Sequence, residues 1–312
     1  MRFGFYLPTR GPTAQPAALT TMAQTGEQLG FTSTMIADHI VIPETVESAY
    51  PYTVAGNFIG EEEAIEQLTL MSYIAACTTT LRLVSSVMIL PHRNPVVTAK
   101  ILSSIDYLSG GRVTVGVGVG WMREEFEALN APDFDDRGAV SNEYIEIFKK
   151  LWTEDRPSHN GDSYQFKALK FAPKPVQQPH PPIWIGGHSA PALRRVARYG
   201  DGWHPVGSTA ASPLPATEVA QKRQRIRELA EGYGRDADAI ETIYKAPIYD
   251  GGRPPTGETR RNFSGSNEQI ATDIHEFADA GVAELVFDFR AETLAQTLDR
   301  MRWFAADVMP LV

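Results

Sequence analysis

Short apolar runs rich in β-branched residues alternate with longer amphipathic stretches along the whole chain. Runs of about four to eight apolar residues bounded by turn signals are typical of buried strands, so the pattern predicts eight strands. They cover residues 2–7, 32–38, 82–90, 112–119, 182–186, 202–206, 242–249 and 284–289. Helical periodicity follows each strand, at residues 16–29, 62–77, 95–108, 140–152, 190–199, 216–231, 267–280 and 292–306.

This regular alternation of strands and helices predicts an α/β protein with a parallel sheet. Eight repeats favour closure into a (β/α)8 TIM barrel, which carries its chemistry at the C-terminal ends of the strands. No linker or shift in composition divides the chain, so residues 1–312 are interpreted as one domain. Three turn-rich stretches, 43–60, 155–181 and 250–265, are predicted to be insertions at the C-terminal mouth. An Asn-Gly pair within the second stretch predicts a β-hairpin.

The fourth predicted strand alternates valine with glycine in the sequence RVTVGVGVGW, residues 112–121. Because strand side chains point alternately to two faces, one face is a valine ridge and the other is almost bare backbone. Glycine inside a strand often marks the close approach of a ligand or of another segment. Gly118 and Gly120 are therefore candidate contacts for a flat ligand, and a layer of tightly packed small residues is the alternative. The GxGxG spacing does not match the GxGxxG motif of dinucleotide-binding folds.

Asp38 and His39 close the second predicted strand, at the end where a barrel of this type carries its chemistry. A histidine titrates near neutral pH and can exchange a proton with a reacting carbonyl or alcohol. The simpler interpretation is that Asp38 caps the segment and His39 packs against it. Their position at a strand end favours a catalytic pair, and both are predicted as catalytic residues, with Asp38 also predicted to contact the cofactor.

Gly186, Gly187 and His188 follow the fifth predicted strand and precede a predicted helix. Ser189 suits the N-cap of that helix, and Pro191 suits its first turn. Amide groups at a helix N-terminus, left accessible by glycines, bind phosphate well. A simple tight turn needs the same residues and is the alternative to a phosphate site.

Composition narrows the classes of function. A net charge of −9 argues against nonspecific binding to nucleic acid, which needs a basic surface. No apolar run approaches the ~18 residues of a membrane-spanning helix, and the N-terminus lacks the apolar core of a signal peptide. With Cys77 as the single cysteine, a disulfide framework is excluded. We therefore expect a cytoplasmic protein that acts on a small-molecule substrate, with no nucleic acid and no membrane as partner.

Four longer segments are distinctive when they are taken together. They are RFGFYLP at 2–8, GFTSTMIADH at 30–39, the segment from LRLVSSVMIL to GVGVGW at 81–121, and PPIWIGGHSAPALRRVARYGDGW at 181–203. These segments resemble the bacterial luciferase-like family of flavin- and deazaflavin-dependent oxidoreductases, and the resemblance extends over nearly the whole chain. It implies a (β/α)8 barrel with a flavin or deazaflavin ring in its mouth, and a homodimer formed through barrel helices.

The resemblance also implies where the cofactor binds. In this family a bulge in the third strand carries a non-prolyl cis peptide that backs the cofactor ring, and the matching pair here is Ser86–Val87. The cofactor phosphate lies after the fifth strand, which corresponds to Gly186, Gly187 and His188.

The chain is most similar to the sub-group that uses the deazaflavin coenzyme F420. Asp38 and His39 match the acid–imidazole pair of that sub-group, in which the imidazole faces the reactive centre of the ring. Trp121 departs from its sugar-phosphate dehydrogenases, which carry a glutamate at this position. That difference puts a sugar-phosphate activity in doubt and implies a more apolar substrate wall.

The leading hypothesis is an oxidoreductase that transfers hydride between F420 and a small organic substrate, with His39 as proton donor or acceptor. An FMN-dependent monooxygenase that uses molecular oxygen shares the scaffold, because the cofactor carries the redox chemistry. A noncatalytic flavin-binding barrel is the alternative from another class, and the presence of His39 argues against it. A metal-dependent hydrolase is disfavoured because the first strand lacks an HxH pair, so no metal site is predicted.

Overall fold

A closed barrel of eight parallel strands forms the centre of the protein. The computed structural model describes residues 1–51, 64–207, 211–248 and 260–312. In chain order the strands are Arg2–Leu7, Ser33–Ile36, Arg82–Ile89, Val113–Gly118, Ile183–Gly186, Gly202–His204, Glu241–Ile248 and Glu284–Asp288. Each strand pairs with the next, and the eighth pairs with the first. The predicted (β/α)8 TIM barrel is confirmed.

Helices surround the barrel and return the chain from the end of one strand to the start of the next. Those of the described residues are α1 (Pro16–Gln28), α2 (Gln67–Cys77), α3 (Pro95–Ser109), α4 (Arg123–Ala128), α5 (Arg137–Thr153), α6 (Ala190–Tyr199), α7 (Ala216–Gly232), α8 (Asn267–Asp279) and α9 (Leu294–Trp303). All but α4 correspond to predicted helices. With only 6 residues, α4 is too short to show a helical repeat of apolar positions. None of the described helices combines the length and the apolar character needed to cross a membrane.

Polar side chains fix the starts of several helices. Asn94, Ser189, Ser266 and Thr293 each accept a hydrogen bond from a backbone amide in the first turn of the following helix. A cap of this kind stabilises a helix by about 1 kcal/mol. Because each helix follows the C-terminal end of a strand, these caps also set the conformation of the loops around the barrel mouth.

An apolar layer closes the interior of the barrel below its mouth. It consists of Tyr6, Met35, Val84, Trp184, Ile243 and Val286. Because side chains alternate along a strand, the residue two positions further on faces the same interior, one layer nearer the mouth. Those positions include Ser86, Lys245 and Asp288, so polar side chains replace apolar ones where the barrel opens.

The insertion at 155–181 lies on the outer wall of the barrel. It contains the predicted hairpin, formed by His159–Asn160 and Gln165–Phe166. The side-chain amide of Asn94, at the start of α3, donates to the Tyr164 hydroxyl at 2.8 Å. Near the end of α3, Gln177 donates to Asp106 at 2.7 Å. The insertion runs along α3 from the mouth end at Asn94 to the opposite end at Asp106, so the prediction that it covers the mouth is wrong for its extended return.

The insertion at 43–60 is described as far as residue 51, and that part does reach the mouth. The backbone amides of Glu47 and Ser48 donate to the carboxylate of Glu124 on α4, at 2.8 and 2.9 Å. Most of the third predicted insertion, residues 250–259, lies outside the described residues.

Candidate active site

The third strand has an irregular backbone where it faces the glycines of the fourth and fifth strands. The peptide bond between Ser86 and Val87 is cis, as the family resemblance implied. The register with the fourth strand shifts between Ser85 and Met88. A Cβ atom added to Gly118 or Gly186 would lie 2.7 or 3.0 Å from a methyl group of Val87. These glycines therefore make room for the bulge of the third strand.

Gly120 has a packing function as well. Its φ of +88° lies in the left-handed region, and an added Cβ would come within 2.6 Å of the Phe126 ring and 2.9 Å of Ile89. Close packing, the alternative interpretation of the glycine pattern, thus accounts for Gly118 and Gly120. Contact of Gly118 and Gly120 with a cofactor stays a prediction.

A chain of hydrogen bonds crosses the barrel interior beside this bulge. Nδ1 of His204 donates to the carbonyl of Ile243 at 2.8 Å, so Nε2 of the neutral ring accepts from the Ser86 hydroxyl, also at 2.8 Å. The Ser86 oxygen in turn accepts from the Tyr6 hydroxyl. Burial lowers the pKa of His204 to about 4, so the ring is neutral at pH 7. The side chain of Ser86 is thereby fixed in one orientation.

Asp38 is engaged in a buried salt bridge. Its fully buried carboxylate pairs with both terminal nitrogens of Arg93 at 2.7 Å. It also accepts a hydrogen bond from the backbone amide of Ile89 at 2.8 Å. Arg93 also donates to Glu66 at 2.8 Å. Asp38 thus anchors the end of the third strand, and its predicted roles in catalysis and cofactor binding stay predictions.

The acid that contacts His39 is Glu125, on α4. Its carboxylate is completely buried and lies 2.8 Å from Nδ1 of His39, whose side chain is 15% exposed. The backbone amide of Ile40 donates to the same carboxylate at 2.8 Å. Burial alone raises the pKa of a carboxyl, but the hydrogen bond and charge of His39 lower the pKa of Glu125 below its ordinary value. An ionised Glu125 therefore accepts a hydrogen bond from Nδ1–H of His39.

His92 lies on the other side of Glu125. Its Nδ1 is 3.7 Å from the carboxylate, and its ring contacts the ring of Phe126 edge-on at a centroid distance of 4.6 Å. Neither ring nitrogen has a hydrogen-bond partner among the described residues. Burial lowers the pKa of His92 to about 4 despite the nearby carboxylates of Glu125 and Asp38.

Replacing His92 with phenylalanine should reduce the loss of stability in mild acid. An unfolded histidine binds a proton below about pH 6.5, whereas folded His92 binds one only near pH 4. Between these values the unfolded state binds more protons, so stability falls as the pH falls. His92 should account for about 2 kcal/mol of that loss at pH 5. Urea unfolding at pH 7 and pH 5 measures it, and an equal loss in both proteins would contradict the expectation.

The turn after the fifth strand is open and precedes a helix N-terminus. Gly187 has a φ of +82°, and the nearest atom to an added Cβ is 3.5 Å away. Ser189 caps α6, as predicted, and accepts the amide of Ala192 at 3.4 Å. Nδ1 of His188 is buried and has no hydrogen-bond partner within the described part of the chain. Accessible amides and a helix N-terminus together fit an anionic group such as a cofactor phosphate.

The chain matches known proteins over most of its length. The sequence of residues 1–252 matches the family of luciferase-like monooxygenases. The chain belongs to the luciferase-like monooxygenase family. It is therefore an oxidoreductase of a family whose members depend on a flavin or on F420, as the four sequence segments indicated. Among the described residues of this luciferase-like protein, no cluster of three or more His, Cys, Asp and Glu side chains could hold a metal ion.

Three relatives show the range of this luciferase-like family. An uncharacterized protein of Mycobacterium tuberculosis is 36% identical over 230 residues, which are 73% of each chain. The FMNH2-dependent dimethylsulfone monooxygenase of Pseudomonas putida is 35% identical over 152 residues, 48% of this chain and 42% of that enzyme. The F420-dependent tetrahydromethanopterin reductase of Methanopyrus kandleri superposes with a TM-score of 0.74 at 15% identity, over 99% and 98% of the two chains. At 15% identity, the likeness to the Methanopyrus kandleri structure concerns the fold alone.

Glu125 is the residue of this luciferase-like site that the sequence did not reveal. It lies 86 positions from His39, on a helix too short to be predicted. The available signal was its place in the segment WMREEFEAL directly after the glycine-rich strand, where a barrel loop carries functional groups. One of two adjacent glutamates there is buried, and sequence alone does not distinguish them.

Proposed function

We propose that this luciferase-like protein transfers hydride between coenzyme F420 and a small organic substrate, with His39 as proton donor or acceptor. The observation that carries this proposal is the 2.8 Å contact between Nδ1 of His39 and the buried carboxylate of Glu125. The contact fixes the Nδ1–H tautomer, so Nε2 is the ring atom that exchanges a proton. The indole of Trp121 meets the His39 ring edge-on at 6.3 Å and provides an apolar wall beside it.

The proton chemistry follows from this arrangement. A bound deazaflavin supplies the exchange of hydride. When an alcohol carbon loses hydride, its hydroxyl must lose a proton, and the reverse reaction needs that proton back, so Nε2 of His39 serves both directions. Glu125 orients the imidazole and stabilises the imidazolium that forms when His39 accepts a proton.

Other residues of the mouth would hold the cofactor. Ser86 and Val87, with Gly118 and Gly120 behind them, would back the ring. Gly186, Gly187 and His188 would hold the phosphate at the start of α6. Asp38 would act only indirectly, because its salt bridge with Arg93 keeps the end of the third strand in place.

An FMN-dependent monooxygenase is the second candidate function. It is supported by the 35% identity with the Pseudomonas putida enzyme, whose name records dependence on FMNH2. In that case His39 would exchange a proton in a reaction that consumes oxygen. Coenzyme preference and oxygen consumption therefore distinguish the two candidates.

Absorbance titrations of the purified protein with F420 and with FMN test the proposal. We expect F420 to saturate the protein at lower concentrations than FMN, and bound F420 to be reduced by a member of a panel of primary and secondary alcohols. Tighter binding of FMN, with oxygen consumed by the reduced form, would replace the proposal with the monooxygenase. Binding without turnover would favour a noncatalytic barrel, and failure to bind either cofactor would overturn all three.

Replacing Gly187 with valine should weaken the binding of phosphate-bearing cofactors by about tenfold or more. A side chain at a φ of +82° strains the turn and crowds its amides. Riboflavin, which lacks the phosphate of FMN, should lose much less affinity. A second variant, His188→Leu, keeps the turn and removes the unpartnered ring nitrogen, and it should shift the preference in the same direction. An equal loss for FMN and riboflavin would mean that the turn is only structural.

We also propose that two copies associate through barrel helices, as the family resemblance implies. Val97, Ile101 and Leu108 expose apolar side chains on α3, and Leu108 is 79% exposed. An interface over α3 would cover these side chains. Sedimentation that shows a monomer at micromolar concentration would contradict a dimer.

A further inference from the structure

A lysine side chain on the seventh strand points into the barrel. Ile243 belongs to the interior apolar layer, and Lys245, two residues further on, shares its face of the strand. The ammonium nitrogen of Lys245 lies 3.9 Å from the centroid of the Tyr6 ring, which is another interior residue. Lys245 therefore lies one layer nearer the mouth than the apolar floor of the barrel.

The charge of Lys245 has no carboxylate partner among the described residues. Asp288, the interior acid on the neighbouring eighth strand, is held by Arg290 through contacts of 2.6 and 2.9 Å. His204 is neutral at pH 7, because burial lowers its pKa to about 4. Two cations thus face one carboxylate, and this part of the interior is positive in a chain whose net charge is −9.

The surroundings keep Lys245 protonated. Burial lowers the pKa of a lysine, but Tyr6, Asp288 and Tyr50 act against it and raise the pKa of Lys245 above its ordinary value. Burying a cation without a counter-ion costs free energy. A charge-assisted hydrogen bond to a carboxylate would offset that cost. The site is therefore suited to an anionic group that comes from a ligand.

Aromatic rings connect this charge with the proposed proton carrier. Tyr6 and Asp288 raise the pKa of Lys245 and of Arg290 against the effect of burial, and Tyr50 adds a smaller contribution to both. Its ring centroid is 5.0 Å from that of Trp121, and Trp121 is 6.3 Å from His39. A molecule that extends from Lys245 to His39 would pass along an aromatic wall.

We propose that Lys245, flanked by Arg290, binds the anionic end of the substrate, and that the substrates are small organic acids with an apolar or aromatic body. In this arrangement the carboxylate pairs with Lys245, the body lies against Tyr50 and Trp121, and the reacting carbon lies near His39. The assignment to a substrate rests on the proposed function. The binding of the anion itself does not.

The binding of benzoate and of its neutral analogue benzamide tests this inference by isothermal titration calorimetry. The wild-type protein should bind benzoate at least about tenfold more tightly than benzamide. Lys245→Met should remove that preference and leave benzamide binding unchanged, whereas Lys245→Arg should retain it. Lys167→Met, which removes an exposed lysine, is the matched control and should behave as wild type.

Two results would overturn the inference. One is wild-type protein that binds benzoate no better than benzamide, and the other is a preference that survives in Lys245→Met. The same samples titrated with F420 and FMN separate this inference from the proposed function. A retained benzoate preference without cofactor binding would remove the proposed reaction and keep the anion site. Cofactor turnover without a Lys245-dependent preference would remove the anion site and keep the proposed reaction.

Discussion

Replacing His39 with alanine is expected to lower the rate of the chemical step by about 10²–10⁴, the usual contribution of a positioned general acid or base. The substitution removes Nε2, the ring nitrogen proposed to exchange the proton. The contact of Nδ1 with Glu125 keeps one proton on Nδ1, so Nε2 is the nitrogen that gains or loses the other. Cofactor affinity should change only a few-fold, because the proposed phosphate site and the bulge of the third strand lie on other segments. Rapid-mixing kinetics of cofactor reduction and a separate binding titration measure the two effects.

His275→Ala is the matched control for that experiment. His275 is an exposed histidine on α8, and its loss should leave both the rate and the affinity unchanged. If the His39 variant keeps the wild-type rate with a genuine substrate, His39 is only a wall of the pocket. If it loses cofactor binding to the same extent as rate, its function is in binding.

Replacing Glu125 with glutamine should lower the rate by about tenfold to 10³-fold while the fold is retained. Removal of the acid that orients a catalytic imidazole costs up to about 10⁴ in a serine protease triad, where the variant imidazole adopts the wrong tautomer. Glutamine can still accept the amide of Ile40, but its NH2 group would then face Nδ1 of His39. Nitrogen-15 spectra of histidine-labelled protein should show the Nδ1–H tautomer of His39 in wild type and its loss in the variant.

Glu127→Gln provides the comparison on the same helix, because Glu127 is exposed. It removes the same charge from α4 and should alter neither the tautomer of His39 nor the rate. A Glu125→Gln variant with reduced rate and an unchanged His39 tautomer would show that Glu125 supports the structure without orienting the imidazole. A wild-type rate in that variant would exclude both functions.

The positions of strands and helices were largely predictable because they follow from local patterns. The first strand and α6 begin and end where the apolar periodicity predicts, and the cap at Ser189 is read directly from residue type. Closure of the barrel followed from the count of repeats. The path of 155–181 did not, because an extended segment is placed by its side-chain contacts with α3, and these have no periodic signal.

The candidate site was predicted only in part, because it depends on pairs of residues that are distant in sequence. Asp38 and His39 are adjacent, and their adjacency suggested a working pair. In the fold they separate: Asp38 pairs with Arg93, 55 positions away, and His39 pairs with Glu125, 86 positions away. Successive residues at the end of a strand point in different directions, so neighbours in sequence acquire different partners.

The sequence by itself determined the strands, the barrel and the family, because periodicity, turn residues and motifs are local properties. Only the tertiary structure decided which acid contacts His39, why Gly118 and Gly120 are small, and where a lysine lies without a carboxylate partner among the described residues. Each of these depends on the approach of side chains from segments that are distant in sequence. Lys245 shows this most clearly: its sequence neighbours do not reveal that it faces Tyr6 across the barrel interior, and closure of the barrel places it there.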